Sequence, residues 1–269
     1  MTDIFITVKT YPTLSSKYDE LVCTAGITDA GKWVRLYPVP FRKLDWEQRY
    51  AKYQWLSIPL ERNTADIRPE SYRIKNINAI EQKNKISDWN VRRQIILENT
   101  PVYTNMNLLI EKAKNNELSL ATLKPTKITD FIAEETERDW SKDKLEHLIA
   151  KTKQLNFFQT PDEIKKELAI VRKVPYKFSY QFIDETGKER KLMIEDWETG
   201  MLYWNCLKST NNNEKTAIEK VKQKYFNEFL KKDIFLFLGT TKEFHFTSPN
   251  PFVIIGVFAP PVQNQKTLF

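Results

Sequence analysis

The sequence is poor in the residues that build several common functional sites. It contains two cysteines, two histidines and six glycines in 269 residues. The cysteines and histidines are widely scattered, so they lack the close ligand spacing of a zinc site. The few glycines leave no glycine-rich phosphate loop of the Walker or dinucleotide-binding type. These absences argue against a zinc protein, a nucleotide-driven motor and a Rossmann enzyme.

The chain also lacks the segments that place a protein in a membrane. No apolar run approaches the roughly 18 residues that a transmembrane helix needs. The first residues, Met1 to Ile4, are without the basic and apolar regions of a signal peptide. Cys23 and Cys206 stand in apolar surroundings, which is typical of reduced, buried thiols. We therefore expect a cytoplasmic protein with no membrane partner.

Hydrophobic patterning predicts an α+β fold that begins with strands. Strand-like patterns recur across residues 1–82, at 4–9, 20–27, 32–39, 53–60 and 72–80. The sequence Thr28-Asp29-Ala30-Gly31 supplies the turn of a hairpin. Short strands joined by turns predict a β-rich N-terminal sheet or small barrel.

The rest of the chain mixes helices and strands. Residues 83–155 are predicted to be mainly helical, with periodic segments at 88–98, 107–115 and 139–155. Residues 156–259 are predicted to form an α+β region with a hairpin at 176–195, a helix at 214–232 and central strands at 234–239 and 252–258. Residues 260–269 contain prolines and polar amides, which predict a flexible C-terminal tail.

Basic and aromatic residues alternate over one stretch of the β-rich region. The net charge of +7 and the pI of about 9.1 permit binding to nucleic acid. Unstacked bases pack on aromatic rings while cations hold phosphates. We predict such contacts between residues 35 and 55, from Arg35, Tyr37, Arg42, Lys43, Trp46 and Arg49. In the alternative, the rings belong to the core and the cations surround the sheet.

A polar loop after the fourth strand-like stretch holds the next candidates. Asp66 and Glu70 are candidate catalytic residues, with the chemistry of an acid, a base or a metal ligand. Arg62, Arg68 and Arg73 are predicted to bind phosphate through bidentate contacts. In the alternative, this is a solvated loop with internal salt bridges.

An acidic cluster follows the second hairpin. Glu195 and Asp196 precede Trp197, and Glu198 follows it. These acids are predicted to form a metal site or a base pocket, with Glu195 and Asp196 as candidate catalytic residues, unless they belong to a charged turn beside a buried tryptophan. We assign no metal ligands. The sequence identifies no cofactor, and Mg²⁺ is expected only if the protein is a nuclease.

The last five residues, Gln265-Lys266-Thr267-Leu268-Phe269, resemble the peptide that docks replication and repair proteins on the bacterial sliding clamp. The resemblance implies that Gln265 sets the register while Leu268 and Phe269 enter an apolar pocket. Burying each apolar side chain contributes roughly 1.5–3 kcal/mol, and ordering the tail offsets part of this. The resemblance covers five residues and implies where the protein acts, rather than what it does there.

Three functions follow from these patterns. The leading hypothesis is a bacterial or phage-related protein that is recruited to replicating DNA by the sliding clamp, in DNA repair or in antiviral defence against foreign DNA. The second is a nuclease or base-removing glycosylase that acts on DNA. The third is a non-enzymatic protein-interaction module or clamp inhibitor. DNA and the sliding clamp are the expected partners.

Overall fold

The computed structural model describes residues 1–15, 19–143, 145–146, 150 and 171–263. The predicted α+β class is confirmed: a curled N-terminal sheet is followed by helices in the middle and by C-terminal strands. Most of the helix predicted at 139–155 and the tail from residue 264 onwards lie outside the described residues. No helix in the described ranges is long and apolar enough to cross a membrane.

The N-terminal region forms one curled eight-stranded sheet. Its strands are β1 (Thr2–Lys9), β2 (Thr13–Ser15), β3 (Asp19–Thr28), β4 (Trp33–Val39), β5 (Gln54–Ile58), β6 (Leu60–Arg62), β7 (Ser71–Ile74) and β8 (Glu81–Lys85). They are ordered β6-β7-β4-β3-β1-β5-β8, and β2 pairs with β3. The predicted hairpin is present between β3 and β4, and Gly31 adopts a φ of +73° in its turn, where other residues would be strained.

The two faces of this sheet pack in different cores. Ile4, Ile6 and Leu36 belong to the core on one face. Phe5 and Ile27, which point the other way, pack against the C-terminal strands. This alternation follows from the two-residue period of a strand, and it places the N-terminal sheet directly against the C-terminal one.

Two short helices lie between residues 89 and 114, where every residue is described. Helix α1 (Trp89–Arg93) continues into a π-helical turn at Gln94–Glu98, and α2 spans Met106–Lys114. Asp88 and Asn105 cap them by accepting hydrogen bonds from backbone N–H groups of the first turn. These helices match the periodic segments at 88–98 and 107–115.

The described residues of the C-terminal region form two smaller sheets and two α-helices. The four-stranded sheet has the order β15-β14-β10-β9 and the three-stranded sheet has the order β11-β12-β13. The strands are β9 (Val102–Tyr103), β10 (Leu120–Leu123), β11 (Lys127–Glu135), β12 (Tyr176–Ile183), β13 (Glu189–Met193), β14 (Phe235–Thr240) and β15 (Phe252–Phe258). The helices are α3 (Trp197–Ser209) and α4 (Glu214–Lys222).

The two apolar runs predicted to be central strands differ in position. Strand β14 lies inside its sheet, whereas β15 lies at the edge. The residues of β15 are buried because Ile194 forms an isolated bridge with Ile254 at that edge and because the N-terminal sheet covers one face. The segment after β13 therefore joins all three sheets.

Candidate functional site

A cavity of about 400 Å³ opens where the three sheets meet. Its volume lies within the roughly 300–1,000 Å³ that is usual for small-ligand sites. The end of β1, strands β3 and β4, and the loop before β7 supply one side. The cavity brings together five residues predicted from three separate stretches of the sequence: Arg35, Tyr37, Arg68, Glu195 and Asp196.

The backbone around Glu195 is held from both sides. Its N–H donates to the carbonyl of Ile254 at 2.8 Å, and its own carbonyl accepts from the N–H of Tyr11 at 2.8 Å. Gly200 lets α3 approach the same place, because a Cβ there would lie 2.2 Å from Cδ2 of Tyr11. The position of Glu195 is therefore fixed by strands and a helix, rather than by a loose turn.

The carboxylate of Glu195 has no hydrogen-bond or ion-pair partner among the described residues. Burial raises its pKa above the ordinary value of 4.5. A buried carboxyl group with a raised pKa exchanges a proton closer to neutral pH, as general acids and bases do. Its oxygen atoms are available to accept hydrogen bonds from a ligand. Glu195 is the one member of the predicted catalytic set that lines the cavity without a hydrogen-bond or ion-pair partner among the described residues.

Arg68 and Asp66 form a buried bidentate pair beneath the cavity. Arg68 donates to Asp66 through Nη2 at 2.6 Å and through Nε at 2.9 Å. Burial by itself would raise the pKa of Asp66, but the guanidinium of Arg68 and the hydroxyl of Ser71 hold it well below its usual range. Asp66 therefore balances the charge of Arg68. This pair is an internal salt bridge of the kind that the alternative interpretation of this loop predicts.

Arg35 is buried, with 2% of its surface exposed. Its Nη1 donates to Ser119 Oγ at 2.6 Å, and its Nη2 donates to the Ser119 carbonyl at 3.0 Å. Burial lowers the pKa of Arg35, and it forms no ion pair with a described carboxylate. Arg35 therefore adds to this side of the cavity a guanidinium group that has no direct carboxylate partner among the described residues.

Asp196 lies between the cavity and an ion-pair network. It caps α3 by accepting from the N–H of Glu198, and its Oδ2 lies 3.4 Å from Lys52 Nζ. Lys52 also pairs with Glu198 at 2.8 Å. Burial raises the pKa of Asp196, and the charge of Lys52 opposes this. Asp196 therefore holds the start of α3 in place.

Glu70 lies outside the cavity and contacts a neighbouring strand. Its carboxylate accepts from the backbone N–H of Ser119 at 2.9 Å and from Ser119 Oγ at 2.6 Å. Its carbonyl accepts from the N–H of Arg35 at 2.7 Å. These bonds give Glu70 a structural role in joining β4 to the start of β10.

Aromatic rings form much of the cavity lining. Tyr37 shares it with Tyr11, Trp140 and Tyr176. Trp140 Nε1 donates to the carbonyl of Val171 at 2.7 Å, and Tyr11 Oη accepts from Trp204 Nε1 at 2.8 Å. Because their polar atoms are already bonded, the rings of Trp140 and Tyr11 are held in fixed orientations and present flat apolar faces.

The other predicted nucleic-acid residues are not in the cavity. Trp46 is 84% exposed. Arg49 donates to the carbonyls of Leu44 and Arg42 in its own turn. The guanidinium of Arg62 stabilises the loop before β7 by donating to the backbone carbonyls of Arg68, Pro69 and Ser71. Arg73 donates to Asn63 Oδ1 at 2.9 Å. Arg42 is half-buried.

Some candidates fall outside the described part of the chain. These are the side chain of Lys43 and the clamp-peptide residues Gln265, Leu268 and Phe269. Within the described ranges, no group of three or more His, Cys, Asp or Glu side chains is placed to hold a metal ion. The structure thus offers no described ligand set for the Mg²⁺ of the nuclease hypothesis.

Sequence reasoning missed several residues of the cavity. Cys23, a free thiol, and Lys242 both line it. His245 is buried nearby, where its ring bonds Thr240 Oγ1 at 2.9 Å and Asn116 Oδ1 at 3.1 Å. Burial lowers the pKa of His245 to about 4. No local pattern marks these residues, because only the packing of three sheets brings them together.

Comparisons with known proteins give matches to two family models and a weak structural likeness. A solved structure described as murine DNA binding protein bound with ds DNA is similar over 98% of this chain and 97% of that chain, with 9% identity and a TM-score of 0.31. That score is too low to carry an inference. The search of curated proteins finds no match. Residues 1–98 match the Domain of unknown function (DUF8758). Residues 102–269, more than half of the sequence, match the Domain of unknown function (DUF8757), and the chain belongs to this family.

Proposed function

We propose that this protein binds nucleic acid, DNA above all, and that its cavity receives an unstacked base. The observation that carries the proposal is the unpartnered carboxylate of Glu195 in a cavity with aromatic walls. A base offers a flat face to rings such as Tyr37 and amino or imino groups to a carboxylate. The guanidinium groups of Arg35 and Arg68 in the cavity lining suit base carbonyls or a phosphate.

The proposal includes delivery to replicating DNA by the sliding clamp. Its support is the resemblance of Gln265, Leu268 and Phe269 to a clamp-binding peptide. Tethering to a clamp raises the local concentration of DNA, so that a weak site suffices. A role in DNA repair or in defence against foreign DNA is consistent with such delivery.

Equilibrium binding of labelled DNA tests the cavity. We expect single-stranded DNA to bind more tightly than duplex DNA, because its bases are free to leave the stack. Tyr37→Ala should weaken single-strand binding by about 5- to 150-fold, corresponding to the roughly 1–3 kcal/mol of a stacked base. Phe244→Ala, which removes an exposed ring outside the cavity lining, is the matched control. Equal affinity of wild type and Tyr37→Ala would count against the cavity as a base site.

A second candidate function is removal of a base from DNA. The raised pKa of Glu195 favours it, since a protonated carboxyl group can assist departure of a base and a carboxylate can activate water. Release of free base from labelled DNA, lost in Glu195→Gln while folding is retained, would support this activity. If Glu195→Gln releases base as fast as wild type, Glu195 takes no part in the reaction. A non-enzymatic clamp inhibitor would release no base and would bind the clamp without DNA.

A further inference from the structure

A second concave surface, which we call the cationic groove, lies on the other side of Asp196. It has a volume of about 580 Å³ and lies between the end of β1, the end of β8, α1 and the start of α3. Its basic side chains are Lys9, Lys52, Lys85, Arg92, Lys224 and Lys232. The only carboxylate in its lining, among the described residues, is Glu198.

Most of these cations form no ion pair with a described carboxylate. Lys52 pairs with Asp196 and Glu198, and Lys224 pairs with Glu228. The other four, Lys9, Lys85, Arg92 and Lys232, form no ion pair with a described residue. Proteins usually disperse such charges over the surface, so their convergence in one groove favours an anionic ligand.

Aromatic rings hold several of the cations in place. The guanidinium of Arg92 lies 4.2 Å from the ring centroid of Tyr53 and 4.7 Å from that of Trp89. Lys232 Nζ lies 5.8 Å from the Trp89 ring, and Lys9 Nζ lies 4.3 Å from the ring of Phe41. Cation–π contacts of this kind preorganise the charges, which reduces the entropy lost when a ligand binds.

The electrostatics of Lys9 show how crowded the groove is. Burial lowers its pKa to about 8, the charge of Glu198 opposes that fall, and the nearby charge of Lys52 adds to it. Lys9 Nζ donates to the carbonyl of Tyr50 at 3.2 Å, which leaves donors for a ligand. A bound anion would relieve the repulsion between these cations.

We propose that the cationic groove binds the phosphate backbone of the nucleic acid whose base enters the cavity. Lys52 lines the groove and its ion-pair partner Asp196 lines the cavity, so the two sites share a wall. A backbone that follows the groove therefore passes beside the cavity. The alternation of cations and rings suits a nucleic acid better than an acidic peptide, which has few flat faces to stack. This inference rests on the proposed function, and it names the part of the protein that would hold the phosphates.

The salt dependence of DNA binding tests the groove. The double variant Lys85→Ala/Lys232→Ala removes two unpaired groove cations. Lys75→Ala/Lys215→Ala removes two exposed lysines outside the groove lining, with the same loss of net charge. We expect the groove variant to bind single-stranded DNA roughly tenfold more weakly at moderate salt. Its slope of log affinity against log salt should fall by about 2, one for each lost phosphate contact. The control should keep the wild-type slope.

The outcomes separate the groove from the proposed function. If the wild-type protein shows no salt-sensitive binding, both are overturned. If wild type binds and the groove variant behaves like the control, only the groove is overturned. Competition by poly-glutamate as effective as that by an oligonucleotide would also overturn the choice of partner. Lys85→Glu, which reverses an exposed charge, gives a second variant and should weaken binding further than Lys85→Ala.

Discussion

Arg35 Nη1 donates to Ser119 Oγ at 2.6 Å, across the interface between the N-terminal and C-terminal sheets. The same hydroxyl donates to Glu70 Oε2 at 2.6 Å. One buried serine thus links a guanidinium on β4 to a carboxylate in the loop before β7. The contact also crosses the two segments that match different family models, so we expect the two segments to depend on each other for stability.

Replacing Arg35 by lysine tests this dependence. Lysine keeps the charge but loses the planar fork that reaches both Ser119 Oγ and its carbonyl. We expect Arg35→Lys to lower the free energy of unfolding by about 2–3 kcal/mol. Urea denaturation measures this, with Arg49→Lys at an exposed turn as the matched control, expected to cost less than about 1 kcal/mol. Equal losses in the two variants would contradict a special role for the interface.

Glu195→Gln should leave the protein as stable as wild type, or more stable, at neutral pH. Because burial raises the folded pKa above 4.5, the stability that Glu195 contributes is present below that pH and is lost as the pH rises through the folded value. Each unit of pKa difference corresponds to about 1.4 kcal/mol. Urea denaturation from pH 4 to 8 should therefore show that the free energy of unfolding of the variant increases relative to that of wild type as the pH rises. A variant that is less stable at pH 7 would reveal a partner for the carboxylate.

His245 should make wild-type stability depend on pH in a different window. Burial lowers its folded pKa from 6.5 to about 4, so the unfolded chain takes up the proton first as the pH falls. Stability is then lost between pH 6.5 and pH 4, by roughly 3 kcal/mol in total. Thermal unfolding of wild type and His245→Gln across this range checks the prediction. The stability of the variant should not show this loss between pH 6.5 and pH 4. If the stabilities of wild type and variant fall in parallel over this range, His245 is not responsible.

Binding to a bacterial sliding clamp tests the C-terminal peptide separately from the cavity. We expect weak binding, on the order of micromolar, that disappears when Leu268 and Phe269 are both replaced by alanine. Lys266→Ala/Thr267→Ala, at the variable positions of the peptide, is the matched control and should bind like wild type. Clamp binding that survives the loss of both apolar residues would contradict the resemblance.

The sequence predicts local structure here better than it predicts the site. The hairpin of β3 and β4 and the helix that begins at Glu214 follow from period and turn chemistry within short windows. The burial of Arg35 does not follow from the sequence. Val34 and Leu36 beside it are buried too, so apolar and polar residues do not alternate along β4 in a way that shows which face meets the second sheet. Glu195 stands out as acidic in the sequence, but only the folded structure, in which its backbone bonds Tyr11 and Ile254, shows that it lines a cavity.

The cationic groove illustrates the same limit. Lys9, Arg92 and Lys232 are far apart in the sequence and read as ordinary surface charges. They converge because the ends of β1 and α1 meet the segment that follows α4. Local composition measures how many cations a stretch contains, whereas binding depends on which cations lack a carboxylate in the folded protein.

The most direct test of a base-binding cavity compares two oligonucleotides that differ only in their bases. A labelled single strand and the same strand with abasic sites throughout its centre are titrated with wild-type protein over a series of salt concentrations. The intact strand should bind at least about fivefold more tightly, with the same salt slope for both, because the phosphate contacts are unchanged. Equal affinity for the two strands, or no binding to either, would contradict the account.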